Sequence, residues 1–397
     1  MLRIEGARLY DGNGGEPLDD AVLIAGPDGR ITYAGPAKGA PKSGGERIDA
    51  AGRALIPGLI DCHVHLCFDG VADFEGEAAE MAGNPARAAL KAAANAKRAL
   101  HAGITTVRDL GGIGTATIEA ARAQAEGIIE GPRIITTGEA LTITGGHGHF
   151  ISREVDSAED MVRAVRALKK AGATCIKIIA TGGVLTRGIG AQRSAFTAAE
   201  IAAAVNEAHE AGMRVAAHAI GAAGIVAALQ GGVDSIEHGC FLTDEAVKLM
   251  PDNPSWLVAT LVAPHQIIHG GEGVPEFAIE KSEEVGASHR ASFRKAAEAG
   301  VNIASGTDAG TPFNPHGGLW LELQLMNENG MPLDVLLSAA TREGARLIGV
   351  DDVGTLEAGK RADAILLDAD PLGDVAAYRH VSLVVQSGRV VADRRSA

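Results

Sequence analysis

Long apolar runs are missing from this chain of 397 residues. No stretch reaches the ~18–20 unbroken apolar residues that cross a bilayer as a helix. The opening Met1-Leu2-Arg3-Ile4-Glu5-Gly6 lacks the basic-then-apolar pattern of a secretory leader. Both absences make the cytoplasm the default location and leave no membrane partner. Basic residues are also in deficit, 36 Lys and Arg against 50 Asp and Glu, for a net charge of −14. That balance argues against nucleic acid or an anionic lipid surface as a partner. Cysteine is scarce: Cys62, Cys67, Cys175 and Cys240 include no Cys-x-x-Cys pair. A disulfide framework is therefore not expected, and each thiol reads as buried and chemically quiet. Self-association into a homo-oligomer stays open.

What is present supports a large core. Apolar residues make up 46% of the chain, and its length suits one large domain plus a smaller one. Residues 1–53 read as short strands and turns, as in the alternating Leu2–Tyr10 and the turn Gly26-Pro27-Asp28-Gly29. From residue 54 the texture becomes strand–helix alternation. Strands are expected at 54–65, 104–109, 133–137, 175–180, 214–218, 235–238, 256–261 and 302–308. Ala-rich helices are expected at 85–101, 115–126, 157–171, 197–211, 222–230, 243–250 and 276–299. Ser157-Ala158-Glu159-Asp160 and Thr197-Ala198-Ala199-Glu200 have the form of capping boxes. Several helices end in a glycine just before the next strand, among them Ala102-Gly103 and Ala211-Gly212. Eight such units fit a (β/α)₈ TIM barrel over 54–350 better than an open doubly wound sheet, because polar residues close strands along the whole series. After residue 350 the β texture returns. Residues 1–53 and 351–397 are expected to pair into a small composite β-sandwich beside the barrel.

The chemistry starts at Leu59-Ile60-Asp61-Cys62-His63-Val64-His65. Alternate residues of a strand share a face, so Asp61, His63 and His65 point together and Cys62 points away. Two imidazoles on one face can hold a metal ion, and Asp61 behind them could orient the rings or join them as a ligand. Other strand ends add Lys177, His218, His238 and Asp308. In a parallel barrel these ends meet at one rim. Several imidazoles plus an anion make a zinc-type hydrolytic site. Lys177, between Ile176 and Ile178, is costly to bury unless it is neutralised or paired.

These residues in this order, with Ser305-Gly306-Thr307-Asp308-Ala309-Gly310 and the closing Gly354-Thr355-Leu356-Glu357-Ala358-Gly359-Lys360, resemble the amidohydrolase superfamily over the whole chain. The resemblance implies two divalent ions, zinc first among candidates. His63, His65 and Asp308 would hold one, and His218 and His238 the other. Lys177, carboxylated to a carbamate, would bridge them. It also implies attack by a metal-bridging hydroxide, with Asp308 moving the proton. The lysine favours amide hydrolysis over the mononuclear deaminases.

Thr144-Gly145-Gly146-His147-Gly148-His149 and Ala180-Thr181-Gly182-Gly183-Val184 resemble the Xaa-Pro dipeptidase and carboxypeptidase-like branch, near imidazolonepropionase. On that likeness His147 is a candidate to polarise the scissile carbonyl, and His149 a substrate contact. One departure stands out: Ile220 occupies a place where many dipeptidase-like members carry Tyr. Arg187, Gln192 and Arg193, in the loop after Lys177, are the nearest replacements for binding a substrate carboxylate. The expected small-molecule substrate is then a dipeptide or N-acyl amino acid. The alternatives are a cyclic amide or amidine, and a neutral lactam, carbamate or ester.

Overall fold

The computed structural model describes residues 1–42, 44–252 and 255–395. The chain folds into an α/β body with two parallel sheets, plus a third sheet made from both ends of the sequence. Parallel strands joined by crossover helices are covered on both faces, which matches their near-continuous apolar runs. One parallel sheet pairs Leu59–Val64, Ile104–Asp109 and Arg133–Thr136. The other runs from Ser152–Glu154 through Ala140–Thr142, Cys175–Ile179, Arg214–Ala219 and Ser235–His238 to Trp256–Val258.

The two sheets part just after the third expected strand. That strand, Arg133–Thr136, pairs with Ile104–Asp109, whereas Ala140–Thr142, which follows it, meets Cys175–Ile179. Between them Gly138 takes φ +72°, a left-handed turn that a side chain would strain. The eighth expected strand, 302–308, forms no regular ladder. It makes single parallel bridges instead, Ile303 to Leu257 and Ala309 to Val64, and so touches an edge of each sheet.

The helices follow the sequence closely. Pro85–His101, Ala116–Ala125, Ala158–Ala171, Ala198–Glu210, Ala222–Gln230, Asp244–Asp252 and Glu276–Glu298 fall within a residue or two of expectation. Thr197 and Glu200 form the reciprocal capping box, while the Ser157 hydroxyl accepts from the Asp160 N–H and donates to the Asp160 carboxylate. Gly103 and Gly212, at φ +93° and +71°, turn the chain from helix to strand. No helix among the described residues is long and apolar enough to cross a membrane.

The chain ends come together in one eight-stranded hydrogen-bonded sheet. Leu2–Leu9 is its branch point, pairing antiparallel with Leu18–Ala25 and parallel with both Glu46–Asp49 and Ala54–Pro57. Ala54–Pro57, assigned by sequence to the barrel, pairs there with Ala364–Leu367. This sheet has its own core of Leu2, Ile4, Leu23, Leu55, Leu366 and Leu383. Beside this sheet a 3₁₀ turn, Val375–Arg379, buries Tyr378.

Candidate metal centre

His63 and His65 project from the C-terminal end of Leu59–Val64 and meet Asp308, whose carboxylate comes from the irregular 302–309 segment. Asp308 Oδ1 lies 3.3 Å from His63 Nε2 and 3.0 Å from His65 Nε2. One ligand atom from each of the three lies within 4.8 Å of the others, and among the described residues no other His, Cys, Asp or Glu cluster meets that test. His218, on Arg214–Ala219, and His238, on Ser235–His238, face the same cavity with ring centroids 4.7 Å apart. His147 lies 4.7 Å from His218, and His238 lies 5.2 Å from His63. Lys177 Nζ sits 3.3 Å from His63 Nε2.

Each ring has one nitrogen committed to the protein. His65 Nδ1–H donates to the Gly111 carbonyl at 2.7 Å, and His218 Nε2–H to the Gly182 carbonyl at 2.8 Å. A carbonyl only accepts, so His218 Nδ1 keeps its lone pair in the neutral ring. Burial lowers the His65 ring, but the Asp308 carboxylate facing its Nε2 outweighs burial and holds that ring above the ordinary imidazole value. His238 Nδ1 contacts the Thr260 hydroxyl at 2.7 Å, and that hydroxyl gives its own proton to the Ala259 carbonyl. His238 is thereby the donor at Nδ1, and its Nε2 is free. His63 Nδ1 lies 2.8 Å from Glu237 Oε2, a charge contact off the line of a good hydrogen bond. One nitrogen anchored and one bare is how imidazoles are presented to a metal. The donor set therefore fits a divalent ion of the zinc type.

Burial and charge agree with that fit. Burial drives His63 down to about 4 and His218 and His238 well below the ordinary imidazole value, so all three are neutral. Burial pushes Asp308 up, but His63, His65 and Lys177 outweigh it and hold the carboxylate at about 2. Burial lowers Lys177 to about 8. His238, Thr260 and Asp308 take φ of +70°, +54° and +62°. Non-glycine residues rarely adopt such angles, and backbone strain of this kind gathers at functional sites.

Some expectations need correction. Asp61 neither orients the rings nor joins the donor cluster; its carboxylate accepts from the Thr307 hydroxyl and N–H, which ties the His-bearing strand to the segment carrying Asp308. The acid beside the rings is Glu237. Its Oε1 lies 2.9 Å from the fully buried Arg108 guanidinium, which also holds the Cys62 carbonyl at 2.7 Å. The signals for this pair were a lone Arg in the apolar strand Ile104–Asp109 and a Glu next to His238. Cys62 does turn away from the rings, toward Gly344, and burial pushes its thiol up to about 12. All four cysteines are free and buried.

His147 lines the cavity, whereas His149 is exposed and does not. His147 Nδ1 contacts the Thr186 hydroxyl at 2.8 Å. That oxygen also accepts from the Gly148 N–H, so its proton is free to point at Nδ1, leaving Nε2–H as a donor. Arg187, Gln192 and Arg193 are exposed, and none lines the cavity. The Arg187 guanidinium stacks on the Phe277 ring, 4.7 Å from its centroid. The Lys281 ammonium closes the loop from outside through the carbonyls of Gly183, Thr186 and Ile189.

The Amidohydrolase family matches residues 54–391, most of the chain. The chain belongs to the amidohydrolase family. It is a hydrolase of carbon–nitrogen bonds. Ochratoxinase of Aspergillus niger is 32% identical over 93% of this chain and 82% of its own length. Imidazolonepropionase of Salinispora tropica is 29% identical, covering 88% of this chain and 86% of that one. Among solved structures, a Xaa-Pro dipeptidase with bound methionine in the active site superposes with a TM-score of 0.89. It is 32% identical, covering 98% of this chain and 99% of that one.

Proposed function

We propose that this amidohydrolase is a binuclear metal-dependent enzyme that cleaves an amide bond. The observation carrying this reading is the set of imidazoles around Asp308 and Lys177, with a nitrogen of His218 and His238 left bare toward one cavity and His65 Nε2 turned to Asp308. His63, His65 and Asp308 would hold one ion and His218 and His238 a second. Lys177, with no carboxylate of the described residues in hydrogen-bonding reach, would bridge them once carboxylated. Bound divalent ions supply Lewis acidity and lower the pKa of water to about neutral. The two parallel sheets are read as arcs of one (β/α)₈ barrel, because residues 302–309 bridge an edge of each. The paired chain ends are read as a composite domain on its flank.

The protein side chains divide the remaining work. Asp308, ionised between His63 and His65, is placed to take a proton from water and deliver it to the departing nitrogen. His147 Nε2–H is placed to donate to the carbonyl oxygen. Glu237 and Arg108 keep His63 in its orientation. A dipeptide or N-acyl amino acid was the sequence's leading substrate. The exposure of Arg187, Gln192 and Arg193 gives a free carboxylate no evident partner, and favours the neutral amide among the alternatives. The deciding experiment combines elemental analysis with an amide-hydrolysis screen. Two metals per chain in zinc- and bicarbonate-containing buffer, with release of amine from at least one amide, support the reading. A stable single metal per chain would refute the binuclear centre.

A further inference from the structure

The cavity at the metal centre is lined in two ways. His63, His65, Lys177, His218, His238 and Asp308 make its polar lining. Phe74, Phe150, Leu185, Ile220, Ile267 and Val285 supply an apolar lining. The Phe74 and Phe150 rings are packed edge to face, 5.9 Å between centroids, and form an aromatic wall. Ile220 and Val285 belong to one apolar cluster.

The Lys281 and Arg187 cations beside this cavity are engaged elsewhere. No arginine lines the cavity among the described residues, and Lys177 is its only lysine. The Lys281 ammonium, next to the loop, spends its contacts on three backbone carbonyls at 2.6, 2.7 and 3.3 Å. Arg187 is stacked on Phe277. A carboxylate placed against such walls would lose its hydration with no charged donor in return. An aryl or branched alkyl group there would instead gain from leaving water.

Resting on the amide hydrolase reading, we infer that the substrate is an uncharged amide with a bulky apolar group beside the scissile bond, and no free carboxylate there. The test is a matched pair, N-benzoylphenethylamine and N-benzoylphenylalanine, which differ only by the carboxylate. Benzoate release is followed with metal-loaded wild-type enzyme. The expected result is a kcat/KM at least tenfold higher for the neutral amide. Leu185→Arg, on the half-buried wall, should narrow or reverse that ratio by lowering the KM of the acid. Equal rates, or a preference for the acid, overturn the inference and leave the hydrolase standing. Failure on both members by enzyme that cleaves other amides overturns it as well. Failure on every amide in a broad panel removes the amide hydrolase reading itself.

Discussion

Asp308 and Lys177 meet burial with opposite outcomes. Burial raises Asp308, yet the surrounding His63, His65 and Lys177 hold it at about 2, while burial takes Lys177 down to about 8. Asp308→Asn should keep the fold and lose about 10²–10⁴-fold in kcat, the range for a positioned acid–base group. Steady-state rates on the best substrate measure this, and a loss under threefold would move proton transfer elsewhere. Lys177→Ala should lower metal content from two per chain toward one with an unchanged circular dichroism spectrum. Retention of both ions would end the bridging role. Glu237 acts through His63, so Glu237→Gln should weaken metal binding by about 10–100-fold, as loss of a group behind a ligand commonly does. Chelator competition reads that directly, and unchanged affinity would remove Glu237 from the orienting role. The sequence exposed the ring-bearing residues because His and Lys are conspicuous at the ends of apolar strands. It hid Glu237 and Arg108 because their pairing joins strands more than a hundred residues apart.

At the level of elements, local chemistry was legible wherever the signal was local. The helix starting at Ala198 was marked by Thr197 and Glu200, which form their capping box. Thr197→Ala should cost about 1 kcal/mol, measured by urea unfolding. Phe74–Ala82, Val262–His269 and the helices between Leu319 and Ile348 escaped detection. The short Val262–His269 was concealed by its own composition: Val262, Ala263, Ile267 and Ile268 continue the apolar run of the strand before it. Periodicity cannot separate strand from buried helix in so short a run. The branching of the end sheet was hidden for another reason, since alternation shows that a segment is a strand and says little about how many partners it takes. The loop after Lys177 offers a further check. Lys281→Met removes an ammonium that holds the carbonyls of Gly183, Thr186 and Ile189. Amide exchange across 182–190 should accelerate and kcat should fall, because Thr186 anchors His147. Unchanged exchange would show that the loop holds itself.

Across the whole molecule, stability should carry the mark of Asp363, which sits where the end sheet meets the strand Leu59–Val64. Its backbone carbonyl accepts from the Gly58 N–H, and its carboxylate accepts from the Ser387 N–H at 2.6 Å. Burial raises this group to about 6, with the Ser387 N–H and then Arg133 and Arg361 opposing. The folded chain therefore binds this proton more tightly than the unfolded chain does. The resulting stabilisation is complete below about pH 4 and is lost as pH rises through about 6. Asp363→Asn should flatten that part of the profile, so wild type loses ground to the variant between pH 4 and 6 in urea unfolding. Parallel profiles would remove Asp363 from the pH response. The end sheet also places the molecule under a schedule. Ala54–Pro57 has pairing partners on both sides, one of them Ala364–Leu367, made roughly 300 residues later. On the ribosome, Leu55 and Ile56 emerge early and wait, apolar and half-paired, through synthesis of the whole candidate metal centre from His63 to Asp308. At a few residues to a few tens per second, that wait lasts on the order of tens of seconds. A nascent chain stalled before residue 364 should therefore bind holdase chaperones through its first sixty residues, and release them once the last strands arrive.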